Sequence, residues 1–327
     1  MTIEESIFSV SDSSFNDLSL KIFHLQYKRC QIYKEYVELL QIPVSDINHF
    51  SKIPFLPISI FKTHKVVSSS TYQKVFESSG TSGEHTSKHY IQNLELYNSS
   101  IVKGFDHFFG DLKKFRFLFL LPGYLERENS SLVYMAQKLI DLSGHKESDF
   151  YLHEHNRLLQ NMKTLEQNKR PYILLGVTYA MLDLIKEFKK DDFKIEQGLL
   201  FETGGMKGLR KELLKAELHE KLEEGFGLGQ FFSEYGMTEL LSQAYMMGDK
   251  RFHCPPWMKV LGREVNDPLN TKLKGRSLGL NVIDLANINS CSFIATEDQG
   301  NIFEEGSFEV MGRLENSIAR GCNLLIQ

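Results

Sequence analysis

The sequence predicts an α/β fold in which a mostly parallel sheet is flanked by helices. Short apolar runs alternate along the chain with longer amphipathic stretches, and this alternation is typical of parallel strands joined by crossover helices. Three apolar runs have the length of buried strands, namely 115–121, 172–175 and 199–201. Three stretches with apolar residues at helical spacing lie near 129–142, 178–190 and 207–224.

The two ends of the chain differ from this alternating centre. Residues of about 15–41 carry apolar side chains at helical spacing, which predicts one or two helices that end before Pro54 and Pro57. From about residue 258, glycine, asparagine and β-branched residues become frequent up to Val310. This change predicts a small antiparallel, β-rich region at about 258–311.

Composition excludes several classes of protein. The chain has 327 residues, a hydrophobic fraction of 42% and a net charge of -4, and it has no basic stripe for tracking nucleic-acid phosphates. The N-terminus is acidic, and no apolar run approaches the ~20 residues that span a bilayer, so we expect a cytoplasmic protein with no membrane span. Its four scattered cysteines form no CxxC pair, which excludes a disulfide framework and a zinc finger.

The segment ESSGTSGEHTSK at 77–88 is the strongest local signal, and it lies between the strand-like sequences KVF and HYI. Its small residues let the backbone approach a ligand, and its N–H groups and hydroxyls can donate to anionic oxygens. Lys88 adds positive charge. The spacing differs from that of a Walker A loop. The alternative interpretation is a flexible Ser/Gly surface loop.

Four further motifs follow this loop. They are FETGG at 201–205, SEYGMTE at 233–239, TEDQG at 296–300, and GRLEN at 312–316 with RG at 320–321. Together with SSGTSG at 78–83, and in this order, they resemble the motifs of the adenylate-forming superfamily of acyl-CoA synthetases, luciferases and adenylation domains. The resemblance implies activation of a carboxylic acid by ATP in the presence of Mg²⁺.

Within that superfamily, the chain is most similar to the acyl-protein synthetase (LuxE-like) family. The short length, PGYLER at 122–127 with SSL at 130–132, and RGCNL at 320–324 carry this resemblance. It implies a fatty acid as the substrate and a reductase or carrier protein as the acyl acceptor. The phenylacetate-CoA ligase branch is the nearest alternative, and it would make the chain an acid-CoA ligase. A third alternative is a degenerate homologue that binds nucleotide or acyl ligand without turnover.

The resemblance also implies a role for each motif residue. Thr238 would donate to the α-phosphate, Glu239 would hold Mg²⁺, and Asp298 would accept hydrogen bonds from the ribose hydroxyls. The other expected binding residues are Ser79, Gly80, Thr81, Ser82, Gly83 and Lys88 for the β- and γ-phosphates, Gly204 and Gly205 beside the acyl pocket, Tyr235 and Gly236 at the adenine, and Arg313 at the ribose or phosphate.

Each of these residues also has a purely structural interpretation. Tyr235 and Gly236 could form an ordinary strand-to-helix turn. Thr238 and Glu239 could cap a helix that begins near Leu240. Asp298 could be a turn residue, and Arg313 a surface ion pair.

Cys322 is the expected acyl acceptor within the chain. In the acyl-protein synthetases a cysteine near the C-terminus takes the activated acyl group as a thioester, and a thiolate is a good nucleophile toward a mixed anhydride. Arg320 lies two residues away and would favour the thiolate. The alternative interpretation is an inert, half-buried thiol.

The resemblance sets the expected domain organisation. It implies the N-terminal domain of an adenylate-forming enzyme, with two packed parallel-sheet lobes and the small β-rich subdomain, over residues 1–311. Residues 312–327 would be the hinge stub of a C-terminal domain that the sequence lacks. The chain departs from the usual motifs in the residues after its phosphate loop, which lack proline. Glu315 and Asn316 stand where the hinge usually has paired aspartates.

Overall fold

The computed structural model describes residues 2–78, 86–123, 129–204 and 215–314. The helices are α1 (Ile3–Ile7), α2 (Asp12–Arg29), α3 (Gln31–Leu39), α4 (Ile60–Thr63), α5 (Leu94–Phe109), α6 (Ser131–Ser143), α7 (His155–Gln167), α8 (Thr178–Glu187) and α9 (Lys215–Phe226). The strands are β1 (Leu56–Pro57), β2 (Lys74–Glu77), β3 (Lys88–Ile91), β4 (Arg116–Leu120), β5 (Asp149–Tyr151), β6 (Tyr172–Val177), β7 (Gly198–Thr203), β8 (Phe232–Tyr235), β9 (Ala244–Met246), β10 (Phe252–His253), β11 (Met258–Arg263), β12 (Thr271–Lys272), β13 (Gly275–Asp284), β14 (Phe293–Ile302) and β15 (Phe308–Arg313).

The predicted elements are present. The three apolar runs form β4, β6 and β7, and the three amphipathic stretches overlap α6, α8 and α9. The N-terminal helical region divides into α2 and α3 at Cys30, whose extended backbone ends one helix and begins the next. None of the helices in the described ranges is both long enough and apolar enough to cross a bilayer.

The chain divides into two compact units. The first comprises Met1–Gly104, Met237–Gln243 and His253–Gln327, and the second comprises Phe105–Gly236 and Ala244–Phe252. The boundary therefore falls inside the SEYGMTE motif, between Gly236 and Met237.

The second unit holds the parallel sheet. Strands β4, β6, β7 and β8 are neighbours in this order, with β5 beside β4, and all of these pairs are parallel. Strand β9 extends the sheet by antiparallel pairing with β8. Strands β4 and β6 are buried along their whole length, as expected for central strands covered by helices on both faces. Helix α6 packs on β4, and α8 packs on β6 and β7.

The first unit holds the β-rich region that the sequence predicts from about residue 258. Its strands run in the order β12, β11, β13, β14 and β15, and each neighbouring pair is antiparallel. The short strand β1 lies parallel beside β14. Strands β2 and β3 form a separate antiparallel pair whose strands flank the Ser/Gly loop of the sequence.

Helix α2 is anchored to the β-rich region by one buried amide. The Gln26 side chain donates at 3.0 Å to the carbonyl oxygens of Asn287 and Ile288, and its own oxygen accepts from the Ser292 N–H at 3.0 Å. Because all of these groups are buried, each hydrogen bond replaces one that water would otherwise supply. The segment between β13 and β14 is thereby held in a fixed position.

Candidate active site

Thr238 and Glu239 lie in a turn. The N–H of Leu240 donates to the carbonyl of Met237 at 3.1 Å, and the next regular element of the chain is strand β9. No helix begins near Leu240, so the interpretation of Thr238 and Glu239 as helix-capping residues is wrong, as is the strand-to-helix turn at Tyr235 and Gly236. We call Met237–Leu240 the motif turn.

Buried side chains hold the backbone of the motif turn. His89 Nδ1 donates to the Thr238 carbonyl at 2.8 Å, and the Asn287 amide donates to the Glu239 carbonyl at 2.7 Å. The Asp284 carboxylate accepts from the N–H groups of Leu241 at 2.8 Å and Ser242 at 3.0 Å. Because side chains satisfy these backbone groups, the turn needs no regular secondary structure around it.

The Glu239 carboxyl group lies in a water-poor position. Its residue is only 5% exposed. Burial raises the pKa of Glu239, and the negative charge of Glu297 raises it further. A hydrogen bond from Ser87 and the positive charge of Lys62 lower this pKa, but their effect is smaller than that of burial. A bound cation would relieve both the burial cost and the repulsion from Glu297.

These features fit a magnesium ligand. Mg²⁺ prefers carboxylate oxygens and is usually held in proteins by one or two carboxylates together with substrate phosphates. In the described part of the chain, no three His, Cys, Asp or Glu side chains are grouped as a ready-made metal site. The chemistry of the donors therefore fits a cation that Glu239 shares with phosphate oxygens.

Asp298 and Arg313 lie directly opposite each other on β14 and β15. One residue later the register shifts, because Gln299 pairs with Gly312 while Gly300 pairs with Val310. Asp298 is half-buried and Arg313 is exposed. Since Asp298 lies inside a ten-residue strand, its interpretation as a turn residue is wrong.

The TEDQG motif requires glycine at position 300 for a steric reason. A Cβ atom on Gly300 would lie 1.8 Å from the carbonyl oxygen of Glu309 on the neighbouring strand. Only glycine allows this close approach of two backbones at the register shift. Gly300 thus secures the pairing that places Asp298 opposite Arg313.

The buried Arg263 side chain fixes the start of the same motif. Its guanidinium donates to the Thr296 carbonyl at 2.5 Å and to the Leu280 carbonyl at 2.7 Å. The Thr296 hydroxyl in turn accepts from the N–H of Asp298 at 3.2 Å. Strands β13 and β14 are therefore linked by a charged side chain next to the ribose motif.

Lys88 is the first residue of β3 and lies opposite Glu77 on β2. Its ammonium group is half-exposed and is 3.7 Å from the Glu77 carboxylate. Its neighbour Ser87 is buried, and the Ser87 N–H donates to the Ser78 hydroxyl at 2.9 Å. Ser87, which contacts Glu239, is thus a site residue that the sequence analysis missed.

In the second unit, the structure places Gly204 and Tyr235 at the ends of neighbouring strands. Gly204 follows β7 with φ of 75°, a left-handed conformation that favours glycine, and its carbonyl accepts from the Thr178 hydroxyl at 3.0 Å. Tyr235 ends β8, and its ring centroid is 5.7 Å from that of Phe252. Tyr235 is half-buried, whereas Gly236 is exposed.

A buried polar network surrounds Glu202, one strand away from Tyr235. The Glu202 carboxylate accepts from the Thr178 hydroxyl at 2.7 Å, from the Lys215 ammonium at 2.5 Å and from the Ser233 hydroxyl. His219 Nε2 lies 2.7 Å from the Ser233 oxygen. Burial opposes the charge of Glu202, but the Lys215 ammonium and the hydrogen bonds from its neighbours more than offset burial and hold its pKa at about 2.

A second buried carboxyl group lies beside this network. Glu234 accepts a hydrogen bond from the Thr203 hydroxyl. Burial and the nearby negative charge of Glu202 raise the pKa of Glu234 to about 7, although the bond from Thr203 acts in the other direction. The two neighbouring glutamates therefore have opposite pKa shifts, and, among the residues that the structure describes, only Glu202 has a cation at hydrogen-bond distance.

The structure brings together only part of the predicted site. In the first unit, the motif turn lies beside Ser87 and His89, and Asp298 lies opposite Arg313. Several predicted residues lie outside the described ranges, namely Ser79, Gly80, Thr81, Ser82, Gly83, Gly205 and Cys322. Most of PGYLER and the residues from Glu315 onward also lie outside these ranges.

One of the missed residues had a signal in the sequence. The alternation along β3 places His89 and Ile91 on the buried face, with Lys88 and Tyr90 on the other. Period-two alternation alone would therefore have placed His89 in the interior. Asn287 had no comparable signal, because it lies in a short 3₁₀ turn after β13.

The chain is similar to one protein family over almost its whole length. The family described as acyl-protein synthetase, LuxE, matches residues 8–327. No curated protein sequence matches the chain.

Solved structures of adenylate-forming enzymes share the fold. A 2-hydroxyisobutyryl-CoA ligase in complex with 2-HIB-AMP and CoA has a TM-score of 0.67 at 12% identity, over 93% of this chain and 69% of that chain. The O-succinylbenzoate coenzyme A synthetase of Bacillus subtilis, in complex with AMP, has a TM-score of 0.50 at 17% identity, over 76% and 64% of the two chains. The predicted fold class is therefore confirmed.

A third similar structure is the amide bond synthetase of Marinactinospora thermotolerans. Its TM-score is 0.50 at 16% identity, and the match covers 73% of this chain. The chain spans 48% of the length of that enzyme.

Proposed function

Because the chain belongs to the acyl-protein synthetase (LuxE) family, we propose that it activates a carboxylic acid with ATP to form an acyl-adenylate. The observation that carries this proposal is the motif turn. Its Glu239 carboxyl is withdrawn from water, and buried side chains fix its backbone. In the same unit, Asp298 and Arg313 lie opposite each other, as a carboxylate for ribose hydroxyls and a cation for an anion.

The proposed reaction is an in-line displacement at the α-phosphorus of ATP. A carboxylate oxygen of the acid forms a bond to this phosphorus, the bond to the bridging β-phosphate oxygen breaks, and pyrophosphate leaves. The chain must hold two anions together and stabilise the charge that develops. Thr238 donates to the α-phosphate, Asp298 binds the ribose hydroxyls, and Tyr235 stacks on the adenine.

The remaining contacts complete this arrangement. Lys88 and Arg313 supply positive charge, and the β- and γ-phosphates are bound by the loop residues Ser79, Gly80, Thr81, Ser82 and Gly83. Gly204 and Gly205 shape the acyl pocket. Gly236 leaves room beside the adenine. Glu239 holds Mg²⁺, which when bound neutralises phosphate charge. Asn287 and His89 position the backbone of Thr238 and Glu239 without touching the reacting atoms.

We propose a fatty acid as the substrate and the Cys322 thiol as the first acceptor. The thiolate sulfur forms a bond to the acyl carbon, the mixed-anhydride bond breaks, and AMP leaves with the bridging oxygen. A reductase or carrier protein then receives the acyl group. The family description supports an acyl-protein product, and residues 1–311 would be the catalytic large domain with 312–327 as its hinge.

A cytoplasmic location is part of this proposal. Three of the four cysteines lie in the described ranges, and Cys30, Cys254 and Cys291 are all free thiols. Free thiols are expected in a reducing compartment. The Cys322 thiol would likewise stay free to accept an acyl group where oxidants are scarce.

Acid-dependent exchange of labelled pyrophosphate into ATP tests the adenylation step. We expect exchange with Mg²⁺ and one class of acid from a panel of fatty and aryl acids, and a loss on the order of 100-fold or more in Glu239→Gln. Glu264→Gln is the matched control, since Glu264 is a half-exposed carboxylate 3.0 Å from the Lys272 ammonium. If no acid supports exchange while ATP still raises the melting temperature, the chain is a binder without turnover.

Labelling with a radioactive acid tests the acceptor. Cys322→Ser is expected to keep pyrophosphate exchange and to lose the acid label that survives denaturation. Cys254→Ala is the control, because burial raises the pKa of the Cys254 thiol to about 12 and keeps it unreactive. Stable labelling of the Cys322→Ser protein would contradict the proposal, and product release only with CoA would favour an acid-CoA ligase.

A further inference from the structure

Ser242 follows the motif turn by two residues and is fully buried. Its hydroxyl donates to one oxygen of the Asp284 carboxylate at 2.6 Å, and its N–H donates to the other oxygen at 3.0 Å. The N–H of Leu241 donates to that second oxygen as well, at 2.8 Å. One carboxylate therefore holds the chain on the C-terminal side of the motif turn by three hydrogen bonds.

The Asp284 carboxylate is fully buried, and uncharged groups donate to it. The N–H of Ala286 is a further donor, at 3.2 Å, beside the three from the segment that follows the motif turn. A buried carboxylate is tolerated only when hydrogen bonds replace those that water would supply. Each donor to Asp284 therefore matters for where the carboxylate lies, and through it for where the motif turn lies.

Two further buried side chains contact the oxygen of the Ser242 hydroxyl. Trp257 Nε1 donates to this oxygen at 2.9 Å, and the Ser100 hydroxyl oxygen lies 2.9 Å from it. Because the single proton of the Ser242 hydroxyl goes to Asp284, Ser100 is the donor in its bond with Ser242. The Ser242 oxygen thus donates once and accepts twice, and its hydrogen-bonding capacity is complete.

The partners of Ser242 lie on elements that are distant in sequence. Ser100 is on α5, Asp284 ends β13, and Trp257 directly precedes β11. The Trp257 carbonyl also accepts from the N–H of Leu285 at 3.0 Å, which ties the tryptophan to the residue after Asp284. Ser242 is therefore the point at which three elements of the first unit are joined to the motif turn.

We propose that Ser242 is a positioning residue for adenylation, which sets the motif turn so that Glu239 and Thr238 meet Mg²⁺ and the α-phosphate. This inference rests on the proposed function and adds a residue from outside the five sequence motifs. Ser242 acts through the backbone of the turn. Because Mg²⁺ demands near-ideal octahedral geometry, a small displacement of Glu239 is expected to weaken the binding of Mg²⁺ with ATP.

The test compares Ser242→Ala with the wild type in two measurements. Calorimetric titration with ATP and Mg²⁺, in the absence of acid, gives a dissociation constant, and we expect it to rise about 10-fold in Ser242→Ala. In the exchange reaction, kcat should fall about 10-fold or more, while KM for the acid stays within about twofold. Ser19→Ala is the matched control, because Ser19 is an equally buried serine whose hydroxyl donates within α2, and it should match the wild type.

A second variant keeps the test decisive if Ser242→Ala fails to fold. Trp257→Phe keeps an aromatic ring but removes one of the two donors to the Ser242 oxygen. We expect this variant to raise the dissociation constant for ATP with Mg²⁺ about threefold, because the Ser242 hydroxyl keeps its other partners. An unchanged dissociation constant in a folded Trp257→Phe protein would then refute the inference.

The outcomes separate this inference from the proposed function. If Ser242→Ala leaves the dissociation constant and kcat within about twofold of the wild type, Ser242 does not position the turn, whatever its effect on the melting temperature. A parallel rise of KM for the acid would show general loosening and would also refute the inference. If the wild type binds ATP with Mg²⁺ but exchanges pyrophosphate with no acid, the proposed function is wrong, and the binding measurement still decides the role of Ser242.

Discussion

His89 shows how one buried side chain can fix a functional turn. Because the Thr238 carbonyl accepts from Nδ1, that nitrogen carries the proton. Burial lowers the pKa of His89 to about 4, although its hydrogen bond to the Thr238 carbonyl acts in the other direction. His89 is therefore neutral at pH 7, and the described residues offer Nε2 no hydrogen-bond partner.

The first prediction concerns the pH dependence of stability. The pKa of His89 in the folded chain lies below its unfolded value of about 6.5. Between these two pH values the unfolded chain therefore binds a proton at His89 that the folded chain does not bind. Stability that is present above about pH 6.5 is lost as pH falls toward 4, by on the order of 3 kcal/mol. In His89→Gln this part of the loss should disappear.

Urea unfolding between pH 4 and pH 8 measures this effect as the free energy of unfolding. His24→Gln, at an exposed histidine on α2, is the control and should keep the wild-type pH dependence. Glu234 also titrates in the folded protein, but both variants keep Glu234, so its contribution to the pH dependence cancels in the comparison. Equal pH dependence of His89→Gln and wild type would show that His89 is not held neutral.

Four elements of the second unit meet at one buried charge. Glu202 on β7 receives hydrogen bonds from Thr178 on α8, Ser233 on β8 and Lys215 on α9. A buried carboxylate is tolerated only when it is paired and hydrogen-bonded, and here both conditions are met. The network therefore fixes the position of α9 relative to the two strands that end at Gly204 and Tyr235.

Removal of the cation from this network gives the second prediction. Lys215→Met leaves the Glu202 carboxylate buried without its counter-charge, and we expect a loss of about 3 kcal/mol in the free energy of unfolding near pH 7. Lys221→Met on the same helix is the matched control, since Lys221 is exposed, and should change stability by less than about 0.5 kcal/mol. Equal stability of the two variants would contradict this role.

The pKa of Glu202 also predicts how the network responds to acid. A folded pKa of about 2 lies below the usual value, so the carboxylate contributes stability above about pH 4.5. This contribution is lost as pH falls through 2. Without Lys215 the pKa should rise, and the acid-sensitive range should move to higher pH.

At the scale of the whole chain, local patterns predicted the elements better than the site. The apolar runs that form β4, β6 and β7 were recognisable because buried parallel strands are continuously apolar. The ordered motifs predicted Thr238, Glu239 and Asp298. The Glu202 network was not predictable, because its single hydrogen bonds join residues up to 31 positions apart that have no common motif.

The purely structural interpretations failed at two places in the chain, and each failure has a physical reason. The sequence after Gly236 has residues that could cap a helix. Instead, the Asp284 carboxylate accepts from a backbone N–H of this segment and the Asn287 amide donates to one of its carbonyls, so these groups need no helical partners. The sequence around Asp298 has turn residues, yet pairing with β13 and β15 keeps it extended. In both places, contacts distant in sequence decided the local conformation.

In the proposed reaction, the acid itself attacks the α-phosphorus of ATP. The most direct measurement uses an acid labelled with ¹⁸O in its carboxyl group and follows the label into the products by mass spectrometry. We expect AMP with one ¹⁸O atom and unlabelled pyrophosphate, because the bridging oxygen of the acyl-adenylate stays with AMP. Label in inorganic phosphate with release of ADP, or AMP without label, would contradict it.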